Sequence, residues 1–394
     1  MKNLWNDSAD IKNDFPSLSK NIYTPVLVIG GGLAGILTAY LLKNNGIDCV
    51  LVETNRVGMG ITKNTTAKIT SQHGLIYADL LSKIGRENSG KYLFANENAI
   101  KKYKSICKNL DCDFSETSAF VYSRCDSYRI ENEVKTVKEL GLDAEFVSNI
   151  ELPITIKGAI KFKNQAQFNP LKFINHISKD LVIYENTPAI LIDKNHVSTP
   201  KADITAESII ITTHFPFVNR YGFYFLKMYQ QRSYVLGLKN AQNLENMYID
   251  EKENKLSFRG YNDILLLGGG GHRTGEVGGG YGFLKHQAKI IYPKSEIAYS
   301  WATQDCITLD GMPYIGKYSK KFDNIFVATG FNKWGMTSSM VSAQILSDMI
   351  VGKKNPYASV FSPQRFTLNK RFFIHLGKTL KNFVYPSKKR CSHL

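Results

Sequence analysis

The run Val28-Ile29-Gly30-Gly31-Gly32-Leu33-Ala34-Gly35 follows an apolar segment and opens a helical one. Few folds accept that order. Gly30 allows a tight strand-to-helix turn, Gly32 lets a diphosphate approach the backbone, and Gly35 lets the helix pack against the strand. Gly31, Leu33 and Ala34 complete the turn, and the free amides of the helix N-terminus face the phosphates. Ile47 to Val52 reads as a second parallel strand, and Glu53 at its end is placed to accept hydrogen bonds from an adenosine ribose. Strand, turn, helix, strand and acid in register make a nucleotide cofactor the first expectation.

A second element of this kind lies far downstream. Asn324 to Gly330 reads as a buried strand ending in glycine, followed by Phe331-Asn332-Lys333-Trp334-Gly335-Met336-Thr337 and a helix from Ser339 to Ile350. A nicotinamide cofactor needs no such distant helix N-terminus. FAD is long enough to need support at both ends, and a helix dipole there stabilises negative charge on its reduced ring. FAD is therefore expected, with an NAD(P)-dependent dehydrogenase as the alternative. Between the two elements, the Gly/Thr/Asn stretch from Val57 to Thr66, with Thr62, Thr65 and Thr66, has small polar groups suited to threading beside a flat cofactor.

The remaining periodicities predict an α/β protein: a Rossmann-type FAD-binding domain interleaved with a smaller α+β substrate domain built on an antiparallel sheet. The FAD-binding part is expected from segments 22–85, 150–220 and 295–355, and the substrate part from 86–149 and 221–294. Residues 1–21 read as an N-terminal extension and 356–394 as a basic tail. Tyr77 to Leu110 has helical spacing, Ser208 to Thr213 is a buried strand, and Tyr229 to Leu238 and Lys255 to Leu267 are strands of the antiparallel sheet. Asn169-Pro170 caps a helix running through Leu181.

The formal charge is +16, and from Arg365 onward there are eight Lys or Arg and no acid, half of that excess. The tail is expected to be a solvated extension with weak contact to an anionic surface. No nucleic-acid motif accompanies the charge, so no nucleic-acid partner is expected. No signal peptide and no run of about twenty apolar residues appears, which predicts a cytoplasmic protein without an integral membrane span. The six cysteines are scattered without Cys-x-x-Cys spacing, so free thiols and no bound metal are expected.

With the fingerprint, the Thr-rich segment at Thr62, and Trp301 with Asp310-Gly311-Met312-Pro313-Tyr314-Ile315-Gly316 ahead of Ala328-Thr329-Gly330, the chain resembles the D-amino-acid oxidase, glycine oxidase and sarcosine oxidase superfamily. The resemblance covers roughly residues 22 to 352. Thr65-Thr66-Ala67-Lys68, Ser71-Gln72-His73, Thr303-Gln304-Asp305-Cys306 and Gly330 to Thr337 resemble a bacterial subgroup that often carries a C-terminal Rieske domain. The last residues, Cys391-Ser392-His393-Leu394, look like half of a Rieske ligand set, whose second Cys-x-x-His is absent.

The resemblance implies oxidation of the C–N bond of a primary or secondary amine or amino acid by hydride transfer to flavin, with electrons passing to oxygen or a Rieske-type acceptor. A non-catalytic or partner-dependent flavoprotein subunit is the alternative from another class. Where simple amino-acid oxidases place a carboxylate-binding Arg, this chain has Asp305, so the substrate is either held by Arg232, Arg259 or Lys333, or is a cationic amine. Histidines that can accept the amine proton are His73, His214 and His272. His73 ranks first because it follows the Thr-rich segment, and Lys333 and Trp334 come next. Cys306 leaves the mode of flavin attachment open.

Overall fold

The computed structural model describes residues 2–11, 13–218, 221–252, 256–365 and 370–384, in the last stretch with side chains only for 372–379. Cys391 and His393 lie outside the described residues. Two sheets organise the chain. In the first, strands run in the order Tyr314–Ser319, Phe322–Thr329, Asp203–Ile211, Ile22–Ile29, Cys49–Val52 and Val182–Tyr184, with the hairpin Leu191–Asp193 and His196–Ser198 added beside Asp203–Ile211. Its central strands pair in parallel, as a Rossmann-type arrangement requires.

Alternation along these strands explains why they read as continuous apolar runs. Val26, Val28 and Ile210 face one core, where the helices Leu33–Asn44 and Gly335–Ile350 cover the sheet. Leu27, Ile29, Ile209 and Ile211 face a second core containing Tyr224, Met228 and Tyr318. A sheet buried on both faces has no polar side to reveal its period.

The second sheet is mostly antiparallel and runs Glu296–Thr308, Met228–Lys239, Ile264–Arg273, Ser257–Tyr261, Met247–Asp250, Ser115–Ser123, Gly158–Gln167 and Lys68–Ile69, with Glu145–Val147 pairing Gly158–Gln167. Helix Gly280–Ile291 packs its Leu284 and Ala288 with Leu236, Leu265 and Leu267 of this sheet. The fold class is as expected. Three strands nevertheless stand where sequence did not put them: Lys68–Ile69, Gly158–Gln167 and Glu296–Thr308, read as parts of the FAD-binding segments, pair in the second sheet. The N-terminal stretch is likewise packed in, because Trp5, in a short helix Leu4–Ser8 capped by Asn3, is fully buried. Tyr77–Cys107 is helical but turns at Gly85, whose φ of 74° and ψ of 172° break the helix. Pro170–Ile177 is capped by Asn169 as expected, ending before Leu181. No helix among the described residues is long and apolar enough to cross a membrane.

Candidate flavin and substrate site

The strand Ile22–Ile29 hands the chain to helix Leu33–Asn44 through Gly30 at φ 111°, where a Cβ would lie 2.9 Å from the Thr212 carbonyl oxygen. A Cβ on Gly35 would come within 1.9 Å of the Gly30 carbonyl oxygen. Gly32 has only Thr62 Oγ1, at 3.5 Å, near its missing Cβ, so the approach to its backbone is open. Glu53 ends its strand as expected and accepts hydrogen bonds from the Gly31 amide at 2.6 Å and the Asn55 amide at 2.9 Å. Thr62 Oγ1 accepts from the Leu33 amide at 3.0 Å, which ties the Thr-rich segment to the helix N-terminus.

That segment is held by its carbonyls. Trp301 Nε1 donates to Asn64 at 2.9 Å, Trp5 Nε1 to Thr65 at 2.7 Å, and Arg259 to Thr66 and Ala67. With its backbone oxygens engaged, the segment turns other groups inward. Thr62, Thr65, Thr66 and Lys68 all line a cavity of about 440 Å³.

The cavity starts at Gly30, Gly32, Leu33, Ala34 and Glu53 and reaches the second sheet at Ser233, Gly271, Thr303 and Asp305. Between these ends it is walled by Gly330, Phe331, Asn332, Lys333, Trp334, Gly335 and Met336. This turn is unusual, because Gly330, Asn332 and Lys333 all have positive φ (72°, 51° and 73°). Asn332 stabilises it by accepting from the Thr308 amide at 2.7 Å and donating to the Gly330 carbonyl at 2.8 Å. The turn ends at the N-terminus of helix Gly335–Ile350, four residues before the expected start at Ser339. Its first-turn amides therefore stand at the cavity wall, where they favour negative charge.

Several predicted residues lie elsewhere. Gly31 and Gly35 act through the turn and are not in the lining. Thr337 is buried behind the wall, donating to the Thr70 carbonyl at 3.1 Å. His73 is also behind it: its ring stacks on Trp334 at 4.8 Å, Nε2 is 2.9 Å from the Thr70 carbonyl, and Nδ1 is 2.7 Å from the Tyr92 hydroxyl. A carbonyl only accepts, so Nε2 carries the proton and Nδ1 receives the hydroxyl. Burial pushes its pKa down to about 3. Both nitrogens of this neutral ring are occupied, and it has no lone pair to offer a substrate.

Arg259 is buried for a structural reason. It donates to Gln167 Oε1 at 2.8 Å and the Phe168 carbonyl at 3.0 Å, besides Thr66 and Ala67, and sits over the rings of Trp5 and Tyr261. Arg232 is exposed. It pairs in register with Gln304, between Gln231 opposite Asp305 and Ser233 opposite Thr303. Strand alternation turns it to the face opposite Asp305. His272 donates through Nδ1 to the Arg273 carbonyl at 3.0 Å and accepts from the Tyr234 hydroxyl at 3.0 Å, outside the lining. Cys306 is buried in the core shared with Tyr224 and Met228, not in the cavity wall.

Lys68 and Ser233 line the cavity without having been expected there, and His214, one of the three histidines expected as possible proton acceptors, lines it too. Lys68, the last residue of the Thr65-Thr66-Ala67-Lys68 run, is buried with Nζ on Ser257 Oγ, and burial beside Arg259 pulls its pKa down to about 7. His214 stands at φ 66° beyond strand Asp203–Ile211, its carbonyl accepting from the Thr329 hydroxyl. Burial lowers its pKa to about 4, and the Gln304 backbone bonded to the ring opposes that shift. His214 Nε2 and Ser233 Oγ are buried without a hydrogen-bond partner, and both residues line the cavity. Asp305 beside them has its pKa raised to about 6 by burial, with Lys333 opposing. A long ligand whose diphosphate meets the glycine backbone at one end and whose ring meets the amides of helix Gly335–Ile350 farther along fits this cavity, and FAD has those parts.

The comparisons agree with the geometry. The chain is 38% identical over 93% of its length, and 76% of the relative's, to YhfW of Bacillus subtilis, named for a Rieske 2Fe-2S iron-sulfur centre. Its fold resembles glycine oxidase from Geobacillus kaustophilus, with a TM-score of 0.74 at 17% identity over 88% of this chain and 100% of that one. L-proline dehydrogenase from P. horikoshii gives a TM-score of 0.74 at 16% identity over 89% and 98%. The family model of FAD dependent oxidoreductases named DAO matches residues 25–349. FAD is therefore the cofactor, the nicotinamide alternative falls, and the chain belongs to the DAO family of FAD-dependent oxidoreductases.

Proposed function

We propose that this oxidoreductase oxidises the C–N bond of an amine. The observation that carries this reading is the continuity of the cavity from the diphosphate-binding turn to a polar wall on the second sheet, with the helix Gly335–Ile350 N-terminus between them. FAD, when bound, would supply an electron sink for the hydride on the carbon beside nitrogen, the amine becoming an imine that water can hydrolyse. The chain's own residues do the rest. Gly30 to Ala34 hold the diphosphate, Glu53 exchanges an amide for ribose hydroxyls, and the amides at Gly335 and Met336 stabilise negative charge at the other end. Phe331, Trp334 and Tyr234 wall the cavity with aromatic surface that keeps water out. In this reading His73 and Arg259 support the site, and Lys333, Asp305 and His214 face the ligand.

Oxygen or a Rieske-type protein would be the electron acceptor, and the name of the Bacillus subtilis relative supports the latter. The first experiment is the visible spectrum of purified protein, release of its ligand by heat, and an anaerobic screen of amines and amino acids. Bleaching of a flavin band by an amine is expected. A flavin reduced by none of them, but by a reduced iron–sulfur protein, would replace this reading with that of a partner-dependent flavoprotein subunit.

A further inference from the structure

The wall formed by strand Glu296–Thr308 and the loop after strand Asp203–Ile211 presents acceptors. Asp305 and Thr303 lie on one face of their strand, and Ser233 lies opposite Thr303 on the same face. His214 is anchored through its carbonyl, which accepts from the Thr329 hydroxyl, and burial keeps its ring neutral. Its Nε2 is buried without a partner, and a neutral ring with its hydrogen on Nδ1 offers a lone pair there. A carboxylate, an imidazole nitrogen and a hydroxyl line one cavity. Buried polar atoms such as His214 Nε2 and Ser233 Oγ cost free energy unless a ligand supplies their partner.

An ammonium group supplies three donors and a charge. It is not the reacting nitrogen, because an ionised carboxylate beside an amine favours the protonated form, whereas loss of hydride needs the nitrogen lone pair free. We propose that Asp305 and His214 bind a second, non-reacting ammonium group, so that the substrate is a diamine or longer polyamine instead of an α-amino acid. This rests on the reading of the site as an amine-oxidising one. Lys333 lines the same cavity, so its charge repels the ligand's ammonium once Asp305 is neutralised. That makes Asp305 the selective element.

The test uses the FAD-loaded protein under anaerobic conditions, with ligand binding read from perturbation of the flavin spectrum, separately from bleaching. The probes are 1,4-diaminobutane, butylamine and butyrate. The diamine is expected to bind about tenfold or more tighter than either of the others. Asp305→Asn collapses the diamine-to-butylamine ratio to about one, and Asp305→Arg makes butyrate the tightest of the three. His214→Phe lowers diamine affinity about fivefold or more, whereas His214→Gln, which keeps an acceptor, restores part of it. Butyrate binding best to the parent protein, or a ratio unchanged in Asp305→Asn with FAD content intact, overturns the proposal. So does a shift confined to the FAD dissociation constant in either His214 variant, which would place the imidazole on the cofactor. If the diamine binds through Asp305 yet no amine bleaches the flavin, the cation site stands and the reaction assigned above falls. If monoamines bleach it and Asp305 is irrelevant, the reverse holds.

Discussion

Gly35 shows how one missing atom decides the fingerprint. A methyl there would meet the Gly30 carbonyl oxygen at 1.9 Å, backbone that cannot yield without moving the helix whose amides face the diphosphate. Gly35→Ala should therefore cost about 3 kcal/mol in urea unfolding and leave the purified protein without its yellow colour. Gly90→Ala, in helix Tyr77–Cys107 and outside the cavity, is the control: nothing lies within 4 Å of the added atom, so stability should hold or rise by up to about 1 kcal/mol. Equal FAD content in the two variants would refute the assignment. His73 makes a different prediction. Its pKa is held near 3 in the folded chain by burial, below the ordinary value, so the unfolded chain binds the extra proton. Its contribution is complete above about pH 6.5 and is lost as pH falls toward 3, with a slope of at most about 1.4 kcal/mol per pH unit. His73→Phe, which strands the Tyr92 hydroxyl, should be less stable at pH 7 yet show a flatter stability curve between pH 4 and 6 in denaturant titrations. An unchanged slope would mean the buried ring titrates normally.

At the level of elements, Arg259 joins the Thr-rich segment to the second sheet. Its fork spans the carbonyls of Thr66, Ala67 and Phe168, a geometry Lys cannot reproduce. Arg259→Lys should cost about 3 kcal/mol and weaken FAD retention, with stability and cofactor content falling together. A rise in KM alone, at full stability and FAD occupancy, would restore Arg259 to the substrate-binding role its sequence position suggested. The reason sequence misled is general. Arg259 sits in a strand between Ser257 and Tyr261 on one face, and nothing local tells that its acceptors arrive from residues 66, 67 and 168. The fingerprint, Glu53 and the buried runs at Ser208 and Asn324 were legible because their chemistry is local to a turn or a strand. The sheet joined by Gly158–Gln167 and Glu296–Thr308 was not, since pairing partners come from distant sequence. Gly335 concealed the true start of its helix, because glycine is a poor helix former while a turn that brings backbone amides to a ligand tolerates it. His214 was visible as a titratable residue, but its left-handed backbone and unpartnered nitrogen belong to tertiary structure.

The whole molecule closes on its cofactor. The diphosphate turn belongs to the first sheet, Ser233, Gly271 and Asp305 to the second, and the Thr-rich segment touches both through Leu33 and Trp301. Unfolding separates these walls, so FAD binds the native state and not the unfolded chain, and its binding free energy adds to stability. At a hundredfold excess over the dissociation constant that addition is about 2.7 kcal/mol. Protein stripped of flavin should therefore melt several degrees below the reconstituted protein, with the difference growing with the logarithm of free FAD. The Val57 to Thr66 segment should become resistant to proteolysis in the same titration, because the ligand covers residues that otherwise line open space. ADP alone should recover part of the shift and none of the sensitivity to Asp305 substitution, since it reaches only the Gly30 to Glu53 end of the cavity. A melting temperature indifferent to FAD, or full recovery by ADP, would show that the two ends of the cavity do not act as one site.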